Sequence, residues 1–149
     1  MIVGELCNRI VVFARPEETV REAARRMRDN HVGDLVVVEK WEVGRVPVGI
    51  VTDRDLVVGP LAGGEDLDRL RVGEVMSRDI VTACERDDLE HALQTMRVNG
   101  IRRLPVVDDE GVLQGILTLD DVLEHLDEEL AALVQLVARE QAREARQLT

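Results

Sequence analysis

The chain has 149 residues, 45% of them hydrophobic but only 1% aromatic, and carries a formal net charge of −11. That length allows one compact domain or two small halves sharing an aliphatic core. The acidic field disfavours nucleic acid and anionic membrane as partners, and no apolar run reaches the roughly 18 residues of a membrane span. No signal-peptide pattern opens the sequence, so a cytoplasmic location is expected. Cys7 and Cys84 lack metal-ligand spacing and read as reduced, buried thiols, with no metal site anticipated.

In chain order, "IVVF" (residues 10–13) is a short β-branched run and predicts a strand. Val20, Ala23, Ala24 and Met27 then fall on one face of a helix, with Glu17 and Glu18 at its dipole-positive start. "LVVVE" (35–39) predicts a buried strand. The turn "EKWEVGR" (39–45) holds the only tryptophan, Trp41, which either marks a partner contact or folds over a sheet edge, the second being preferred. "VPVGIVT" (46–52) predicts another strand, and a helix starts at Asp53.

The same order then recurs. "VGELCNR" (3–9) matches "VGEVMSR" (72–78) at an offset of 69, which holds without a gap through Val38 against Val107. "DIVTA" (79–83) predicts the strand and Leu89, Ala92, Leu93 and Met96 the helix face, with Asp87 and Asp88 at its start. "LPVVD" (104–108) and "VLQGILT" (112–118) predict the later strands, and a helix starts at Leu119. Three extra residues in the first turn reduce the offset to 66, so that Gly49, Thr52 and Asp55 meet Gly115, Thr118 and Asp121. The chain is a tandem duplication of a β-α-β-β-α unit of mixed α/β (α+β) class. A unit near 55 residues buries too little alone, so the copies are expected to pack about a pseudo-two-fold axis.

"VGEVMSRDIVTA", "MRVNGIRRLPVVD", "GILTLDD" and, in the first copy, "VGIVTDRDL" resemble the cystathionine-β-synthase (CBS) domain, and two in tandem resemble a CBS pair, or Bateman module. The resemblance covers roughly residues 3–125. The expected parts are repeat 1 at 3–61, a linker at 62–71, repeat 2 at 72–125 and a helical extension at 126–149. Two departures stand out: Val36 replaces the proline found at Pro105, and Gly33 and Asp34 stand where the second copy has Arg102 and Arg103.

The duplicated Gly–x–x–Thr–x–x–Asp has its own chemistry. Glycine ends a strand where the backbone passes close to something, because no Cβ intervenes. Threonine at the strand-to-helix junction caps the helix, whose free N–H groups suit an anion. Aspartate in the first turn accepts two hydrogen bonds from a vicinal diol. Together they suit a ribose phosphate; the plain alternative is an N-cap followed by a favourable first-turn acid.

The resemblance implies how such sites are assembled, with Thr and Asp from one repeat and strand residues from the other. One site would join Thr118 and Asp121 to Val11, Val12, Val32 and Gly33. The second would join Thr52 and Asp55 to Ile80, Val81, Thr82, Ile101 and Arg102. It implies an adenosine-containing ligand (AMP, ADP, ATP, NAD or S-adenosylmethionine), no required cofactor, and magnesium only alongside a polyphosphate. Arg54, Arg102 and Arg103 are phosphate candidates, or else surface partners of the abundant acids. His31, opposite Gly100 in the repeat register, reads as a solvated helix end, the alternative being a phosphate contact.

Beyond Leu119, Val122, Leu123, Leu126, Leu130, Leu133, Val134 and Val137 form one apolar stripe on a helix that outruns the repeat. Leu126, Leu130, Leu133 and Val137 are expected at a homodimer contact, the alternative being a fold back onto the module. No Ser-His-Asp, Cys-His, metal-spaced or P-loop pattern appears, which speaks against an enzyme. The expected function is a stand-alone regulatory sensor acting on an unknown protein; the alternative is a structural adaptor that dimerises and docks a partner without binding a ligand.

Overall fold

The computed structural model describes residues 1–148, so that Thr149, the last residue of the expected extension, lies outside the described residues. It divides into two compact units, residues 1–117 and Thr118 onwards. The first opens with a helical turn, α1 (Val3–Leu6), followed by β1 (Phe13–Ala14), α2 (Val20–Asn30), β2 (Asp34–Trp41) and β3 (Gly44–Thr52). The short helix α3 (Asp53–Leu56) runs on as a π-helical turn, residues 57–61. The order then repeats as α4 (Val72–Val75), β4 (Ala83–Cys84), α5 (Leu89–Asn99), β5 (Arg103–Val107) and β6 (Leu113–Thr118). The second unit is one 30-residue helix, α6 (Leu119–Leu148).

Each copy builds a three-stranded sheet, β1-β2-β3 and β4-β5-β6. The duplication holds down to register. Parallel pairing joins Phe13 to Val36 and Ala14 to Val37, and in the second copy Ala83 to Val106 and Cys84 to Val107. The first strands are shorter than "IVVF" and "DIVTA" predicted. Residues 10–12 and 79–82 lie outside the ladders, because the chain turns just before them: Asn8 Oδ1 accepts the Ile10 N–H at 3.0 Å, and the Arg78 carbonyl accepts the Ile80 N–H at 2.9 Å. Their β-branched residues Val11, Val12, Ile80 and Val81 are half-buried in extended chain rather than paired.

The long helices end as their sequences specify. Thr19 and Glu22 form a reciprocal capping box at the start of α2, with bonds of 3.1 and 3.2 Å. Its last turn closes on His31 at φ 55°, and α5 closes on Gly100 at φ 64°, the same left-handed position in the two copies. His31 is thus an exposed helix end, as read.

The unpredicted turns α1 and α4 tie each copy to the other. Val3 N–H donates to Asp87 O and Gly4 N–H to Glu85 O, both at 2.8 Å; Val72 N–H donates to Glu18 O at 2.8 Å and Gly73 N–H to Pro16 O at 2.9 Å. Each copy's opening turn therefore sits on the other copy. Val72 and Met76 enter the core of the first repeat beside Ala23, Leu35, Val37 and Val51. The buried core is aliphatic, dominated by Val, Leu, Ala and Met, and no polar side chain is buried with it among the described residues. The linker is fastened as well: Leu70 and Leu67 carbonyls accept the Val20 and Arg21 N–H groups that open α2.

Cys7 is buried and Cys84 half-buried, and neither forms a disulfide. Trp41 ends β2 opposite Gly44, is 54% exposed, and gives its indole N–H to Glu39 at 3.3 Å.

Candidate functional site

The glycine of the repeated motif does meet a close neighbour, and that neighbour is the other copy's backbone. Ile50 and Ser77 exchange two antiparallel hydrogen bonds of 3.0 and 2.8 Å; Ile116 and Asn8 exchange two of 2.9 Å. A Cβ on Gly49 would lie 2.8 Å from Ser77 O and 2.7 Å from Met76 Sδ. On Gly115 it would lie 2.7 Å from Asn8 O and 2.8 Å from Cys7 Sγ. These bridges clamp the last strand of one copy to the chain entering the other.

Three residues beyond Gly49, Thr52 and Asp55 form a closed capping box. Asp55 N–H donates to Thr52 Oγ1 at 3.1 Å, and Thr52 N–H donates to Asp55 Oδ2 at 3.0 Å. One carboxylate oxygen is therefore committed to the backbone. In the second unit, Asp121 N–H likewise donates to Thr118 Oγ1 at 3.1 Å.

Two contacts join the second copy to β2 and β3 near Thr52. The antiparallel Ile50–Ser77 bridge lies two residues before Thr52 and three residues before Ile80. At the other side, Asp34, paired in register with Thr52, forms an ion pair of 2.9 Å with Arg103 Nε, which brings in Ile101 and Arg102 just upstream. Ile80, Val81 and Ile101 are half-buried, whereas Thr82 and Arg102 are exposed. For the other expected site, Val11 and Val12 line a cleft of about 580 Å³ with Phe13, Arg15, Glu18 and Arg26. Arg26 there is held by the Phe13 carbonyl at 2.9 Å and by Glu18 at 2.6 Å. Val32 and Gly33 lead into β2, and Gly33 O accepts the Asp53 N–H at 2.9 Å.

A second cleft, about 590 Å³, is lined by Asp55 and Arg54 with Val58, Pro60, Leu70 and Glu74. Ile80, Val81, Thr82, Ile101 and Arg102 are not among its walls. Among the described residues, no group of His, Cys, Asp and Glu is arranged to hold a metal ion, and no helix is long and apolar enough to cross a membrane.

Asp34 is the polar residue that sequence reasoning passed over. Positions 34 and 103 are equivalent in the repeat, so this ion pair joins a residue to its own counterpart across the pseudo-two-fold axis. The signal was the divergence of "GD" from "RR", which puts opposite charges at the two copies of one position. Asp34 is only 13% exposed at its side chain. Burial pushes its pKa up; the Arg103 guanidinium pulls it down, and Asp53 pushes it up further.

The sign of the resulting pH dependence follows. A carboxyl whose folded pKa is raised binds its proton more tightly in the folded chain, so stability falls as pH rises through that raised pKa. Arg103→Ala is expected to cost about 1–2 kcal/mol at neutral pH, where it strands a charged Asp34 beside Asp53, and almost nothing once Asp34 is protonated. Urea midpoints of wild type and variant from about pH 4 to about pH 7 read this directly; a pH-independent difference would assign Arg103 no such role.

Comparison with known proteins adds the family context. The family model described as "CBS domain" matches twice, at residues 3–59 and 72–128. An uncharacterised protein of Methanopyrus kandleri is 38% identical over 122 residues, which span 82% of this chain and 61% of that protein. The solved CBS domain pair of protein MJ0100, in complex with 5-methylthioadenosine and S-adenosyl-L-methionine, superposes with a TM-score of 0.73 at 26% identity, covering 87% of this chain and 98% of that one. A CBS domain protein from Pyrobaculum aerophilum, complexed with AMP, superposes at 0.71 with 29% identity, covering 81% and 89%.

Proposed function

Because the chain belongs to the CBS-domain family and carries the domain twice, we propose that it is a non-catalytic regulatory module that binds an adenosine-containing ligand. The observation that carries this reading is the duplicated strand-to-helix junction, with Thr and Asp at the same two positions in both copies. Structural neighbours solved with AMP and with S-adenosyl-L-methionine support the ligand class.

In this reading Asp55 turns its second carboxylate oxygen to the ribose hydroxyls, while the Thr52 hydroxyl donates to phosphate. Ile80, Val81 and Ile101 sandwich the base, and Thr82 lies at its edge. Arg102 and Arg54 supply positive charge, and Arg103 does so only by releasing Asp34. Thr118 and Asp121 take the corresponding roles in a second site with Val11, Val12, Val32 and Gly33. Magnesium enters only with a polyphosphate. The module self-associates, and a ligand-dependent change of shape is passed to a regulated protein.

One observation favours the second reading, a structural adaptor: Thr52 and Asp55 already satisfy each other in a complete capping box. Calorimetry on the wild-type chain with AMP, ATP, NAD and S-adenosylmethionine separates the two. Saturable binding of at least one compound is expected; silence of the whole panel at about millimolar concentration, a free energy of about −4 kcal/mol, would leave only the adaptor.

A further inference from the structure

Helix α6 carries an apolar stripe whose spacing and flanking charge both point to one occupant. Leu119, Leu123, Leu126, Leu130, Leu133 and Val137 follow one another at steps of four, three, four, three and four. That alternation is the seam of a left-handed coiled coil. The helix at 30 residues is about 45 Å long, and Leu123, Leu126, Leu130, Leu133 and Val137 stand 48–61% exposed. So long an exposed seam is an interaction surface, not ordinary scatter of apolar side chains.

The charges flanking the seam are polarised along the helix. Asp120, Asp121, Glu124, Asp127, Glu128 and Glu129 crowd its first third, where the sole basic group is His125, paired to Glu129 at 3.1 Å. Residues 130–138 carry no charge, with Ala131 and Ala132 near the middle of the stripe. Arg139, Arg143 and Arg146 then follow, against Glu140 and Glu144. A parallel pair would stack six acids on six. An antiparallel pair sets each acidic end beside the arginine-bearing end of its partner.

We propose that α6 pairs with α6 of a second copy as an antiparallel two-helix coiled coil, its two-fold axis passing between Ala131 and Ala132. That register brings Leu130 against the partner's Leu133 and Leu126 against the partner's Val137, four apolar layers in all. It also makes the contact isologous, so that association stops at two chains. The proposal rests on the self-association put forward above and adds its direction and its register.

Two measurements test it on the full chain. Light scattering is expected to show a wild-type dimer at micromolar concentration, and Leu130→Glu with Leu133→Glu is expected to raise its dissociation constant at least about a hundredfold. Direction is read from a Leu126→Cys, Val137→Cys variant under mild oxidation, with wild type as the control for Cys7 and Cys84. Within one helix these positions are about 16 Å apart, too far to bridge. Glutamate-specific digestion and mass spectrometry should recover 126-to-137 links between chains. Links of 126 to 126 and 137 to 137 would overturn the antiparallel direction while leaving self-association intact. A wild-type monomer, or a dimer indifferent to the two glutamates, would overturn the surface itself.

Discussion

Asp55→Ala is expected to weaken adenosine-nucleotide binding about ten- to hundredfold at its site, the loss of one charge-assisted acceptor worth about 1.5–3 kcal/mol. The same substitution breaks the bond from Thr52 N–H to Asp55 Oδ2, so a stability loss of about 0.5–2 kcal/mol accompanies it. The two effects separate in Asp55→Asn. An amide oxygen still accepts the Thr52 N–H and keeps the cap, but the charge that grips two ribose hydroxyls is gone. The ribose reading therefore expects Asn to resemble Ala in binding and wild type in stability. If Asn binds like wild type, the carboxylate serves the helix alone. Arg102→Ala should weaken AMP and ATP more than adenosine, and added salt should shrink that difference, because a phosphate contact is screened and a ribose contact is not. Asp121→Ala repeats the experiment at the second copy.

The larger effect on the fold should come from the motif's glycines. Gly49→Ala puts a methyl 2.8 Å from Ser77 O and 2.7 Å from Met76 Sδ, and Gly115→Ala puts one 2.7 Å from Asn8 O and 2.8 Å from Cys7 Sγ. The sulfur of Met76 sits on a flexible side chain and can move, but the carbonyls belong to the paired bridges between the copies. Relieving the contact means breaking those bridges. Each substitution is expected to cost about 3 kcal/mol, overpacking plus strained backbone hydrogen bonds. Gly59→Ala is the control, since nothing lies within 4 Å of its Cβ position. Chemical denaturation measures all three; a Gly49→Ala loss no greater than that of Gly59→Ala would show that the close approach is not a constraint.

These glycines also mark where sequence reasoning stopped. That a Cβ is forbidden was legible from the motif, but the identity of the neighbour was not. A chain scanned in one dimension contains Ser77 and Asn8 only as polar residues ahead of a β-branched run. Their role as bridge partners comes from exchange: α1 and α4 each cap the opposite copy, through Asp87, Glu85, Glu18 and Pro16 carbonyls. Short turns of four residues leave no periodicity to read, whereas α2 and α5, eleven residues each, show one apolar face plainly. The first strands came out shorter for a related reason. A β-branched run reports a half-buried extended segment, and only the partner strand decides whether it is paired; β2 meets just Phe13 and Ala14.

The amino-acid sequence by itself determined the duplication, the aliphatic core, the β-α-β-β-α order and the Thr–Asp junctions, because each rests on local spacing or on identity between the copies. Tertiary structure alone decided which parts of the copies touch. Arg103 reads in "GIRRLP" as either a phosphate ligand or a partner of some unspecified acid and, folded, is paired with Asp34 at 2.9 Å, since the pseudo-two-fold axis brings position 34 onto its own counterpart. Opposite charge at one repeat position is neutral in the string and attractive only at the axis. The closed Thr52–Asp55 box has the same lesson in reverse: spacing places both groups at the helix start, but only backbone geometry commits one carboxylate oxygen to the cap. Local periodicity is written along the chain, whereas the neighbour of a side chain such as Arg103 is set by packing of segments some seventy residues apart.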